Sequence, residues 1–214
     1  NSPLAFGIVG RSYPYTSSLS PVKIEAIGGW PIYKWTIILG KLPDGLVLDP
    51  SSGIIIGTPT KKGPYKFTVR VQDSCDNPFK VIDKEFVITI YDPLEIVDIS
   101  ILQCHTINKT ISPPFCLTAK GGLPAYEWKI VSGSLAGLIL NNSTGCISGT
   151  ITEGGNKSVT IQVIDQNGVE IQKSFDFRVY DELIITSACP LVFGTNGTAY
   201  TANLTAEGGS SPYT

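Results

Sequence analysis

Six asparagines, Asn108, Asn141, Asn142, Asn156, Asn196 and Asn203, each begin an Asn-x-Ser/Thr triplet without proline, and all six fall after residue 100. The triplet is the acceptor signal for N-linked glycans, and it recurs here more often than the Asn, Ser and Thr content would place it by chance. The residues predict an exported, N-glycosylated chain. The alternative is a Thr/Asn-rich β surface that carries no glycan.

Five cysteines, Cys75, Cys104, Cys116, Cys146 and Cys189, are the next chemistry-bearing set. In an exported β protein most should be paired. They contain no C-x-x-C spacing, which argues against a zinc site. Cys116 lies in "PFCLTA" and Cys146 opens "CISGT", segments expected to be neighbouring strands, so Cys116–Cys146 is a candidate intrachain bridge. Cys104 could compete for either partner.

Two loops carry hard oxygen ligands: "DSCDN", with Asp73 and Asp76, and "DQN", with Asp165. Calcium is the metal such loops would take, but Asp and Asn are also ordinary turn formers. His105 is the single histidine, and no nucleophile motif stands beside it. A catalytic triad or a His-based metal site is therefore unsupported. No catalytic residue and no cofactor is expected.

The elements that must position these residues repeat. "AIGGWPIYKW" (Ala26–Trp35), "AKGGLPAYEW" (Ala119–Trp128) and "AEGGSSPYT" (Ala206–Thr214) share a GG turn beginning at Gly28, Gly121 and Gly208, 93 and 87 residues apart. A period of that size is a whole domain. Within it, "SLSPVKIEA" and "YKFTVRVQD" alternate as half-buried strands do, the latter with Tyr65, Phe67, Val69 and Val71 on one face. "LPDGL" and "DPSSG" are turns. "IYKWTII" should turn Trp35 inward, and Trp128 repeats it. These signals predict an all-β chain of tandem immunoglobulin-like β-sandwiches with Greek-key topology plus a C-terminal partial repeat. The expected divisions are 1–92, 93–181 and 182–214.

The chain has 214 residues, 22 Gly, 15 Pro and a net charge of −2. That charge leaves no electrostatic footprint for nucleic acid or an anionic membrane. No stretch approaches the roughly 20 apolar residues that span a bilayer.

"GGxPxYxW", "LPDGLVLDPSSGIIIGTP" and "YKFTVRVQDSC" resemble the He-PIG type of immunoglobulin-like repeat, found in tandem on microbial cell surfaces. The second copy departs from the pattern at "SGSLAGLIL" and "GTITEGGNKSV". The resemblance implies architecture more than activity, with members serving mostly as adhesive or spacer modules. Family members with a cysteine in the opening segment often carry another in the "DSC" loop, which implies that the two bond. Here Cys75 sits in that loop of copy one, and Cys189 sits in the opening segment of copy three.

"PLEIVDIS" precedes copy two and "ELIITSA" precedes copy three, each reading as a first strand, while nothing stands ahead of "NSPL". The first sandwich should then present an open groove, and the tail should be a strand without a core. Three readings follow. In the first, the tail of one subunit enters the first domain of the next by β-strand addition, with an interchain Cys75–Cys189 bond, giving a head-to-tail homopolymer. Such a filament resembles the archaeal surface threads in architecture and sequons. In the second, the sequence is a fragment of a longer adhesin or stalk. In the third, Trp30 and Tyr126 line a carbohydrate- or protein-binding face.

Overall fold

The computed structural model describes residues 2–15, 21–74, 80–97 and 104–212. Among these residues there are strands and turns and no helix. The chain divides into two compact units: Asn1–Leu94 with Gly121–Pro124, and Glu95–Lys120 with Ala125–Thr214.

The first unit runs β1 (Ser2–Pro3), β2 (Gly7–Ile8), β3 (Val22–Lys23), β4 (Lys34–Gly40), β5 (Leu46–Leu48), β6 (Ile54–Gly57), β7 (Gly63–Gln72) and β8 (Val81–Tyr91). One sheet has the order β1-β8-β7-β4, with β2 also on β8, and the other has the order β3-β6-β5. The opening strands β1 and β2 pair with β8 in parallel, while β7 is antiparallel to both β8 and β4. Alternation decides what is buried. Phe67 and Val69 of β7 and Phe86, Ile88 and Ile90 of β8 enter one core cluster with Trp35 and Ile55. Ile88 and Ile55 are completely shielded from water.

The second unit repeats the plan with β9 (Glu95–Val97), β10 (Cys104–Thr106), β11 (Thr110–Cys116), β12 (Thr118–Lys120), β13 (Glu127–Gly133), β14 (Ile139–Leu140), β15 (Cys146–Thr150), β16 (Gly155–Ile164) and β17 (Glu170–Tyr180). Its sheets are β10-β17-β16-β13 and β11-β15-β14, and β12 pairs antiparallel with β9. The registers of the two units coincide. Trp35 faces Val71 and Val71 faces Ile82 in the first, as Trp128 faces Val163 and Val163 faces Ile171 in the second. Two further short strands, β18 (Ile184–Ile185) and β19 (Ala206–Glu207), pair with each other in the tail.

Each of the two buried tryptophans, Trp35 and Trp128, is fixed by a turn. In "DPSSG" the Asp49 carboxylate accepts hydrogen bonds from the Ser51 and Ser52 N–H groups and the Ser51 hydroxyl, an Asx turn that reverses the chain. Gly53 ends it at φ 73°, and a Cβ there would lie 3.0 Å from Trp35 Cε2. In the second unit Asn141 Oδ1 accepts from Ser143 and Thr144, and Gly145 stands against Trp128 in the same way. A flat indole against a left-handed glycine explains why this W…[DN]-x-S-[ST]-G spacing recurs.

Among its described residues, one expected strand is ladder-paired over a shorter stretch than its sequence suggests. Of "SLSPVKIEA", Ser18–Ser20 lie outside the described residues, and only Val22–Lys23 is ladder-paired, antiparallel to β6. Its continuation, Glu25–Ile27, has no ladder partner among the described residues, whereas the corresponding Thr118–Lys120 is paired with β9. Strand pairing requires a neighbour, and alternation alone does not supply one.

Candidate functional site

That unpaired edge borders a groove of about 380 Å³ lined by Ala26, Trp35, Val71, Ile82 and Phe86, with Lys80 and Asp73 at its polar end. The same positions in the second unit are closed. Val163 is 0% exposed where Val71 is half-buried, and Ile171 is half-buried where Ile82 is 66% exposed. Over the second-unit sheet lies β9, whose Ile96 is only 3% exposed. In the second unit β9 thus pairs the edge whose counterpart in the first unit borders the groove.

A segment of the same pattern occurs in the tail. "DPLEI" (Asp92–Ile96) and "DELII" (Asp181–Ile185) both follow a Tyr that ends the last strand of a sandwich. Ile185 is 74% exposed, and β18 is held by a two-residue ladder to β19. Leu183, Val192 and Phe193 are exposed as well. Such a ribbon is marginal by itself.

The other candidate residues separate clearly. Cys116 and Cys146 face each other across β11 and β15 and are joined by a disulfide, with Cα atoms 3.8 Å apart. Neither is then left for Cys104, which opens β10. Cys189 is a free, exposed thiol. Cys75 and Asp76 lie outside the described residues.

Asp73 and Asp165 are buried, and their carboxylates are committed to backbone. Asp73 accepts from Trp30 N–H at 3.2 Å and Lys80 N–H at 2.9 Å, while Asp165 accepts from Asn167 and Val169 N–H, each at 2.9 Å. These carboxylates thus close loops. No group of three or more His, Cys, Asp or Glu suited to a metal occurs among the described residues. His105 lies in β10, at the edge of its sheet.

All six sequon asparagines, Asn108, Asn141, Asn142, Asn156, Asn196 and Asn203, are exposed. Trp30 is exposed, but Tyr126 is half-buried, and burial followed by the nearby Asp165 carboxylate pushes its hydroxyl pKa up. The two aromatics are therefore unequal candidates for a shared binding face. No helix among the described residues is long and apolar enough to cross a membrane.

Two immunoglobulin-like β-sandwiches in tandem, with a linker strand built into the second, define the class. The chain belongs to the He_PIG family, described as "Putative Ig domain", which matches residues 1–90 and 96–180. It is similar to the "Serine-rich adhesin for platelets" of Staphylococcus aureus strain MRSA252, with 31% identity over 139 residues, 64% of this chain and 10% of the relative. The protein of the same name from strain USA300 is 30% identical over 139 residues, 64% of this chain and 6% of the relative. The chain thus spans a tenth or less of the length of these relatives.

Among solved structures, a C-terminal fragment of intimin in complex with the intimin-binding domain of its translocated receptor aligns at TM-score 0.45 and 19% identity, covering 72% of this chain and 54% of that one. Mouse cadherin-23 domains EC22–24 align at TM-score 0.42 and 15% identity, covering 86% and 64%.

Proposed function

We propose that this chain is a tandem immunoglobulin-like segment of an extracellular cell-surface protein, serving as a structural or adhesive stalk in which each sandwich is completed by the strand ahead of it. The observation that carries this reading is the contrast between buried Ile96 under the β9–β12 pairing and the open groove bordered by Glu25–Ile27. Similarity to surface adhesins supports the location, and the six exposed sequon asparagines support N-glycosylation. The chain's work is mechanical and adhesive, without chemical turnover.

The test is to fuse a second Asp181–Ala188 segment ahead of Asn1. Completion of the groove should raise the melting temperature of the first unit by at least about 4 °C, the shift expected of roughly 1 kcal/mol in a small domain. A scrambled segment should do nothing. Equal melting of the two fusions would sink the reading.

A second reading, a head-to-tail filament, is favoured by the exposure of Ile185 and by the free thiol of Cys189. The tail strand of one copy would enter the groove of the next by β-strand addition, and Cys189 would bond Cys75. Native material should then give a ladder on a non-reducing gel that collapses with thiol, and a Cys75–Cys189 cystine peptide. A single monomer band with Cys189 unpaired would remove the covalent junction.

A further inference from the structure

The three GG turns share one backbone conformation but differ in what lies against them. Gly121 and Gly122 have φ of 74° and 58°, Gly208 and Gly209 have 76° and 60°, and Gly28 and Gly29 have 81° and 72°. In the first two cases the turn closes on a linker. Gly122 N–H donates to the Asp92 carbonyl and Gly209 N–H to the Asp181 carbonyl, both at 2.9 Å. A Cβ on Gly121 would fall on the Pro93 carbonyl oxygen, and one on Gly208 would fall on that of Glu182, each well inside van der Waals contact. Around Gly28, by contrast, a Cβ would meet nothing within 4 Å.

We infer that Gly28 and Gly29 form the receiving half of a backbone clasp. It takes the Asp181–Glu182 carbonyl pair of a second copy in exchange for that copy's own Gly208–Gly209 turn, setting the register in which Leu183 and Ile185 enter the groove. The inference rests on the head-to-tail reading above and deepens it. Gly29 N–H would donate to the Asp181 carbonyl, and the hydrogen side chain of Gly28 would let the Glu182 carbonyl approach. The groove ends beside this turn: Asp73 lies against Gly29, and Lys80 lines the same end as a cation for the acidic Asp181–Glu182 pair. The Asp73 carboxylate is occupied there by the Trp30 and Lys80 N–H groups. An apolar strand alone could slip by two residues and still fill the groove, because side chains repeat with that period. A fixed carbonyl contact removes the slip.

The experiment titrates a labelled peptide of residues 181–188 onto the full chain and compares two variants, Gly28→Asn and Gly10→Asn. Asparagine tolerates a positive φ. Gly10, at φ 75° with open space around it, occupies the position that Asn108 holds at φ 64° in the second unit, so it controls for the conformation alone. Gly28→Asn should weaken binding by about ten-fold or more, and Gly10→Asn should leave it within about two-fold. Independently of any variant, a peptide whose Asp181 carbonyl is reduced to a methylene should bind the unaltered protein about ten-fold more weakly. Full-strength binding by Gly28→Asn and by the reduced peptide would overturn the clasp while leaving strand acceptance intact. No binding of the unmodified peptide by the unaltered protein would overturn both.

Discussion

The backbone N–H of Gly209 donates to the carbonyl of Asp181 at 2.9 Å, repeating in the tail the bond that Gly122 makes to Asp92. The two bonds predict different consequences for the adjoining glycines. Gly121→Ala puts a methyl on the Pro93 carbonyl at a positive φ, beside a strand with buried Ile96. It should cost about 2–4 kcal/mol in a chemical denaturation curve. Gly208→Ala meets the same clash, but β18 is exposed there. It should leave the main transition in place and abolish hydrogen-exchange protection of the Thr186 N–H, which donates to the Thr205 carbonyl at 2.8 Å.

Ile82 lines the groove with two thirds of its surface in water. Ile82→Glu should therefore change the stability of the protein by no more than about 0.5 kcal/mol. The same substitution should erase the melting-temperature gain from the fused Asp181–Ala188 segment, because strand entry would bury an unpaired carboxylate.

The disulfide closes a sequence separation of 30 residues within the second unit. On a chain-entropy account, Cys116→Ala with Cys146→Ala should lower the stability of that unit by about 3.6 kcal/mol and leave the first unit's transition unmoved. Trp128 reports on the second unit once Trp30 and Trp35 are replaced by phenylalanine, and Trp35 on the first once Trp30 and Trp128 are.

Asp49 and Asn141 occupy the same turn in the two units, which gives a pH prediction with an internal control. The Ser51 hydroxyl, followed by the Ser52 and Ser51 N–H groups, holds the Asp49 carboxyl down to about 2. A folded pKa below the unfolded value of about 3.9 means that this contribution is complete above that value and is lost as pH falls from about 4 towards 2. Asp49→Asn should flatten that part of the first unit's stability profile, and the Asn141 turn should show no such slope.

Much of the sandwich was legible because it is written in local patterns. Alternation in "YKFTVRVQD" placed Phe67 and Val69 in the core, and the recurrence of "YEW" and "YKW" placed Trp128 with Trp35. The Cys116–Cys146 bridge was legible from strand adjacency. The carboxylates were less so: nothing local in "DSCDN" tells that Asp73 meets the Trp30 N–H, 43 residues away in sequence. The purpose of the GG pairs was also hidden, because it depends on a carbonyl in a linker that follows the preceding repeat. Long-range partners of this kind leave no local periodicity.

The most direct measurement of strand acceptance is amide hydrogen exchange at Glu25, Ala26 and Ile27, with and without the peptide of residues 181–188. This edge has no ladder partner among the described residues, while its counterpart Thr118–Lys120 is paired with β9. Strand acceptance predicts that the peptide slows exchange at alternating amides of this segment by about ten-fold or more, with a scrambled peptide inert. Unchanged exchange at saturating peptide would contradict it, and the groove would then have to be explained without a strand.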